Sequence, residues 1–373
     1  MKVIIIQRVL PKYREPLFEE LSRQCRNSDI SFDLWASPAE QSFAARGTEG
    51  GLPWARSIPV FQLGPARFGI EWQRLPWRQV LSADSVIVPD NVRVLSNIAV
   101  IWLRRLLGKP VITWGHGVNF QPRASGKLLA RLRSLLLRPA SRHLVYTSAC
   151  VEPMVKLGFD ARHIHLSYNA IDTSPAVGLT ASHPDVTAFR EAHGLGDSPC
   201  VAFLGSWYAS KRPERILEFG KALRRQIPNA RVLVIGGGDG LAVLQEEGAS
   251  WLTLLGPLHG RDKFIALSAA SCLAITGIAG LNILDAMAVG LPVLAPRRSD
   301  HSPEIAFIEH GVNGYVTQDC MTEMAHQAAV LIPDADRLTV LQQAAKQTAK
   351  QLSIANMAQH LLAPVLQELP DAR

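Results

Sequence analysis

Apolar runs alternate with amphipathic stretches along the first half of the chain. Lys2-Val3-Ile4-Ile5-Ile6 reads as a strand, and the loop after it leads into a helix over 15–25. There Pro16 suits a first helical turn, and Leu17, Phe18, Leu21 and Cys25 make one apolar stripe. Further short buried strands are predicted at 85–88, 111–113 and 144–147. This rhythm is that of a parallel sheet wrapped by helices.

Periodicity fades between Thr173 and Pro199, where Ser, Pro and Gly gather and only 186–193 keeps a helical pattern. It restarts with a strand at 200–204, a helix near 213–225 and a strand at 231–235 that ends in Gly236-Gly237-Gly238-Asp239-Gly240. Strands at 252–255, 272–275 and 292–294 follow, with a helix at 283–289 between the last two. The expected fold is α/β, with two doubly wound Rossmann-like domains facing each other across a cleft and ligands bound at the carboxyl ends of both sheets. The first domain is expected over 1–175, a linker over 176–199 and the second domain over 200–345. A helical segment over 346–373 is expected to pack back on the first domain.

Length and composition fit two domains of similar size. Of 373 residues 47% are hydrophobic and 19% charged, and the 27 glycines and 24 prolines are spread along the chain, which excludes a dominant disordered tail. The five cysteines are far apart and lack metal-ligand spacing, so buried thiols are expected. The apolar stretch from Cys272 to Pro296 is interrupted by Asn282, Asp285 and three glycines, and reads as strand, loop and helix rather than a membrane span. Val3 to Ile6 is too short for the apolar core of a secretion signal, so a cytoplasmic location is expected.

The net charge of +7 hides an asymmetry. Residues 1–180 hold 23 Lys and Arg against 13 Asp and Glu, and the remainder holds 16 against 19. No acidic residue lies between Asp90 and Glu152, a window that carries ten Lys and Arg, so one face of the first domain should attract anions. Within it, Lys127, Arg131, Arg133 and Arg138 stand on a leucine-rich helical stretch, with Trp54, Phe61, Phe68, Trp72 and Trp77 upstream. This suits docking on an anionic membrane surface, and the absence of any recognition motif argues against nucleic acid.

The segment from Phe203 to Pro213 places Gly205 at a strand end and Lys211 six residues later, just before a helix. A lysine beside helix amides can hold a diphosphate. The stretch Gly277-Ile278-Ala279-Gly280-Leu281-Asn282-Ile283-Leu284-Asp285-Ala286-Met287-Ala288-Val289-Gly290-Leu291-Pro292-Val293-Leu294 then resembles the signature of the retaining GT-B glycosyltransferases (group 1, family 4-like), specifically so from Gly280 to Leu294. Gly205 to Lys211 resembles the family's phosphate-binding segment, Gly236 to Gly240 its glycine loop, Pro303-Glu304 and Gly311-Val312-Asn313-Gly314 its later turns, and Tyr168 to Asp172 its element before the linker. The sequence departs from the family where Gly277 and Asp285 stand for its two glutamates and Ser206 for an arginine.

The resemblance implies sugar transfer from a nucleotide diphosphate donor to a lipid-linked or glycan acceptor with retention of configuration, in cell-surface glycan biosynthesis. No metal or other cofactor is expected, since the nucleotide sugar is itself the substrate. Donor binding is assigned to Gly205, Ser206, Lys211, Gly236, Gly237, Gly280, Leu281, Asn282 and Glu304, and catalysis to Asp285 and to His116, which follows the strand at 111–113 where the family has its cleft histidine. Arg8, Lys12, Tyr13 and Arg14 follow the first strand and are assigned to the acceptor. The enzyme would be peripheral on the inner face of the membrane. The rival from another class is a membrane-associated GT-B-like partner subunit that has lost donor chemistry at Gly277 and Ser206.

Overall fold

Consecutive side chains of Val3 to Ile6 enter two different cores, as the pleat of a strand requires. In the computed structural model, which describes residues 1–38, 50–64, 69–118 and 126–367, Val3 and Ile5 pack with Leu17, Phe18 and Leu21 of α1 (Glu15–Asn27). Ile4 and Ile6 pack with Val80, Val100 and Ile101. Strand β1 (Lys2–Gln7) is thus covered on both faces, which is why it reads as an unbroken apolar run.

The chain divides into two units, one of residues 1–172 with 354–373 and one of residues 173–353. In unit 1 the elements after α1 are β2 (Ser31–Ala36), β3 (Arg56–Ser57), the hairpin of β4 (Val60–Leu63) and β5 (Ile70–Gln73), α2 (Trp77–Ser82), β6 (Ser85–Pro89), α3 (Leu95–Leu106), β7 (Val111–Gly115), α4 (Gly126–Leu137), β8 (Arg142–Val145), α5 (Val151–Lys156) and β9 (Ile164–Leu166). Its sheet has the order β3-β2-β1-β6-β7-β8-β9, and every pairing in it is parallel. The chain leaves β1 toward β2 on one side and later returns to β6 on the other. The strand order therefore switches between β1 and β6, where the loops at the carboxyl ends part and leave room for a ligand.

Unit 2 opens with α6 (Pro184–Ala192), followed by β10 (Cys200–Leu204), α7 (Arg215–Gln226), β11 (Arg231–Ile235), α8 (Ala242–Glu247), β12 (Leu252–Gly256), α9 (Gly260–Ser268), β13 (Cys272–Ala274), α10 (Asn282–Ala288), β14 (Val293–Pro296), β15 (Gly314–Thr317), α11 (Met321–Leu331) and α12 (Ala335–Gln351). Its sheet is again fully parallel, in the order β12-β11-β10-β13-β14-β15. The polar stretch from 173 to 199 is folded onto this unit. Val186 is buried, α6 packs on α9, and the Arg190 guanidinium donates to the carbonyls of Gly196, Ser198 and Ala269.

The last helix, α13 (Ile354–Leu366), belongs to unit 1, where Met357, Leu361, Leu362 and Val365 join the core beside α1. Cys25, Cys150, Cys200 and Cys272 are buried, and burial pushes the Cys272 thiol up to about 12. Among the described residues no helix is long and apolar enough to cross a membrane.

Candidate functional site

Three loops of unit 2 meet at the carboxyl ends of β10, β11 and β13. Trp207 joins the first two: its amide donates to Gly237 O at 2.9 Å, its indole Nε1 to Ile235 O at 3.2 Å, and its carbonyl accepts from Gly240 N at 2.9 Å. This closeness fixes the glycines. A Cβ on Gly236, whose φ is +118°, would sit 1.8 Å from Gly205 O, and one on Gly238 would meet Trp207 O at 2.6 Å. Gly205, Gly236 and Gly237 are thus the seam between two loops, with the exposed Ser206 beside it.

Lys211 ties the first loop to the third. Its Nζ donates to Ile278 O at 2.6 Å, and its carbonyl accepts from Thr276 Oγ1 at 2.5 Å. Burial holds its ammonium below the usual lysine range, and among the described residues no carboxylate pairs with it. A cation in that state stands ready for an anion. Asn282 completes the junction, accepting from Gly280 N at 3.1 Å and donating to Leu204 O at 2.9 Å. The Gly280 amide assigned to the donor is therefore already engaged by its neighbour's side chain.

The loop over 277–281 is clamped from behind by residues the sequence did not single out. His301 Nδ1 accepts from Ala279 N at 3.0 Å while its Nε2 meets Pro296 O at 2.6 Å, and Ser302 Oγ donates to Ala279 O at 2.6 Å. Burial lowers the His301 pKa, which keeps the ring neutral and suits one nitrogen to accept and the other to donate. Glu304 is buried in the turn Pro303–Phe307, next to this clamp. Asn313 is structural: its amide bonds Glu309 N, Phe307 O and Thr348 Oγ1.

Asp285 stands in the first turn of α10 and is buried, but it does not stand alone. Lys263 of α9 donates to its Oδ1 at 2.6 Å, and burial pushes the carboxyl above the usual range in spite of that partner. Asp285, assigned to catalysis from the sequence, thus sits in a buried ion pair with a lysine of the neighbouring helix. A lysine at the fourth position of a helix gives no sequence signal for this.

In unit 1, the residues after β1 divide. Arg8 forms a bidentate pair with Glu71 of β5 and donates to Pro38 O at 3.1 Å, so its charge is already neutralised. Lys12 and Tyr13 are exposed, whereas Arg14 is buried with its guanidinium carbon 4.9 Å from the Trp114 ring, 5.2 Å from Tyr13 and 5.4 Å from Tyr146. A solvated turn cannot describe Arg14. His116, just past β7, is exposed and lies edge-on to Tyr146 with ring centroids 4.9 Å apart.

The His116 loop is fixed by Asp90, whose Oδ2 accepts from Gly117 N at 2.6 Å, and by Arg133, which pairs with Asp90 at 2.9 Å and donates to Gly117 O. Arg133, assigned to the membrane face from the sequence, is thus a half-buried strut of this loop. Arg131, on the same helix, and Arg138, in the turn after it, are exposed. Asn119, Arg123 and Phe68 lie outside the described residues, as does the side chain of Lys127.

Residues 198–334 match the family model described as Glycosyl transferases group 1. The chain is 32% identical over 141 residues to the GDP-mannose-dependent alpha-(1-6)-phosphatidylinositol monomannoside mannosyltransferase of Mycolicibacterium smegmatis, covering 33% of this chain and 36% of that protein. It is 24% identical over 231 residues to the alpha-D-kanosaminyltransferase of Streptomyces kanamyceticus, covering 59% and 52%. The chain thus spans between about a third and about half of the length of these relatives. The structure of HepE from Anabaena in complex with UDP superposes with a TM-score of 0.70 at 16% identity, over 99% of this chain and 100% of that one. The fold of this chain is accordingly that of the GT-B glycosyltransferases, and its residues 198–334 are similar to the glycosyl transferases group 1 family.

Proposed function

We propose that the chain is a retaining glycosyltransferase that moves a sugar from a nucleotide diphosphate donor to a lipid-linked or glycan acceptor in cell-surface glycan biosynthesis. The observation that carries this reading is Lys211, a half-buried ammonium with no carboxylate partner among the described residues, at the junction of three strand-end loops. An anionic diphosphate there would exchange the Ile278 carbonyl for phosphate oxygens, and the same contact would stabilise the charge that develops as the diphosphate departs. The Lys263–Asp285 pair would anchor the ribose end, and His116 is the proposed catalytic residue of unit 1. The relatives named for mannosyl and kanosaminyl transfer support a hexose-type donor.

The inner face of a membrane is the proposed location. The end of α3 and the outer face of α4 leave Leu106 79% and Leu128 81% exposed, with Leu107, Leu129, Leu132 and Leu135 beside them and Arg105, Lys109, Arg131 and Arg138 between. Apolar side chains mixed with cations suit an anionic bilayer surface.

Titration calorimetry with UDP and GDP tests the donor site. Lys211→Ala is expected to weaken binding by a charge-assisted contact of roughly 1.5–3 kcal/mol, about ten- to a hundredfold. Equal affinity in both proteins would place the donor elsewhere. Nucleotide binding without turnover on any sugar donor and lipid-extract acceptor would favour the partner-subunit reading, for which Gly277 and Ser206 speak. Loss of sedimentation with anionic vesicles on replacing Leu128 and Leu132 by Gln tests the membrane face.

A further inference from the structure

Unit 1 contains two deeply buried arginines that differ in one respect. Arg104 is fully buried, and its N–H groups are spent on the carbonyls of Val80, Ala83, Asp84 and Pro110, with five hydrogen bonds between 2.6 and 3.0 Å. Arg14 is 5% exposed, yet its one hydrogen-bond acceptor is the thioether of Met357 at 3.5 Å, and no carboxylate lies within ion-pair distance of it among the described residues. The carboxylate beside it in sequence, Glu15, is occupied by Gly51 N at 2.6 Å.

Stacking on rings offsets part of the cost of burying that charge, because the faces of Trp114 and Tyr146 are electron-rich. It does nothing for the guanidinium's N–H groups, which lie in its plane, and among the described residues only Nη1 has a hydrogen-bond acceptor. A second group points the same way. The indole Nε1 of Trp114, itself 4% exposed, is buried with no hydrogen-bond partner among the described residues. The ring of Trp114, the penultimate residue of β7, lies against the Arg14 guanidinium, which follows β1; the exposed Tyr13 also lies against that guanidinium, and the exposed His116 is joined to it through Tyr146.

We propose that Arg14 is the centre of an oxyanion site, which binds a phosphate or carboxylate group carried by the acceptor. The planar fork of the guanidinium matches either group with two parallel hydrogen bonds. The stacked rings of Trp114 and Tyr146 hold that fork in place before the ligand arrives, so little side-chain freedom is lost on binding. The assignment of the anion to the acceptor rests on the glycosyltransferase reading, whereas the site itself does not. Lys12, exposed one residue before Tyr13, adds positive charge at the approach.

The test is a phosphate titration of the full chain with its donor site saturated by UDP, so that inorganic phosphate has to bind elsewhere. Wild type is expected to show one saturable phosphate event by calorimetry. Arg14→Gln should weaken it at least tenfold and Arg14→Lys less, while UDP affinity changes under twofold in both. Parallel titrations with methyl phosphate and acetate distinguish a phosphoryl from a carboxylate group. No saturable phosphate or acetate binding in wild type, or equal binding by Arg14→Gln, overturns the site. If UDP does not bind, the glycosyltransferase reading fails instead, and the same titration on Lys211→Ala still reads Arg14. Should Arg14→Gln not fold, wild-type crystals soaked in phosphate decide: density in hydrogen-bond reach of the Arg14 guanidinium supports the site, and its absence refutes it.

Discussion

Replacing Lys263 by Met strips Asp285 of its partner while keeping the aliphatic stem. The pair is 2.6 Å long, with side chains 20% and 11% exposed, so the carboxylate left behind is only weakly solvated. An unpaired buried charge costs about 3–5 kcal/mol. The carboxyl has an escape, since it can take a proton. With an ordinary value of 3.8, holding that proton at pH 7 costs at most about 4.4 kcal/mol, at about 1.36 kcal/mol per pH unit. The loss is therefore capped near 4 kcal/mol at pH 7 and near 1.6 kcal/mol at pH 5. The sign follows from proton counting: the folded variant holds a proton that the unfolded chain releases, so the variant gains stability as pH falls from 7 toward 4. Amide hydrogen exchange in α9 and α10, measured at both pH values, reads the effect within unit 2. Lys263→Met/Asp285→Asn should recover most of the loss. Wild-type protection in the single variant, or a loss equal at pH 7 and pH 5, would refute the buried pair.

Two further outcomes are expected. His143 is buried against Thr113 Oγ1 at 2.7 Å with its pKa lowered to about 3, so the unfolded chain binds the extra proton below pH 6.5 and stability falls on acidification. Between pH 6.5 and 4.5 this amounts to about 2.3 kcal/mol, and urea unfolding of His143→Gln should lack that slope. Gly236→Ala adds a Cβ 1.8 Å from Gly205 O at a φ of +118°, so the seam between the loops must open. UDP affinity measured by calorimetry should fall more than tenfold, while phosphate binding at Arg14 is unchanged.

Strands buried on both faces were legible because periodicity vanishes into apolar runs, and β1, β10 and β11 lie within a residue of where the sequence puts them. β2 was not, since Ser31-Phe32-Asp33 mixes polar and apolar side chains near the sheet edge, and the short β9 and the hairpin β4–β5 give similarly weak patterns. Motif spacing located the loop of Lys211 and the helix of Asp285, but spacing does not report partners. Asp285 with Lys263, Arg8 with Glu71 and Arg133 with Asp90 join residues 22, 63 and 43 positions apart. A cation's chemistry depends on whether such a partner exists. That is why the sequence grouped Arg8 with Arg14, and Arg133 with Arg131, where the structure separates them.

The return of α13 to unit 1 has a consequence for synthesis. The core beside β1 and α1 takes Met357, Leu361, Leu362 and Val365 from the last helix, and each such side chain contributes roughly 1.5–3 kcal/mol on burial. Together that rivals the whole stability of an ordinary domain, about 5–15 kcal/mol. A ribosome making this chain releases the strands of unit 1 first, yet their core stays open until residues beyond 353 have left the exit tunnel. Unit 2, encoded in one uninterrupted stretch from 173 to 353, has every strand it needs before then. The half made second is thus positioned to mature first, and the early half waits with an apolar groove uncovered, a window in which a holding chaperone has something to grip.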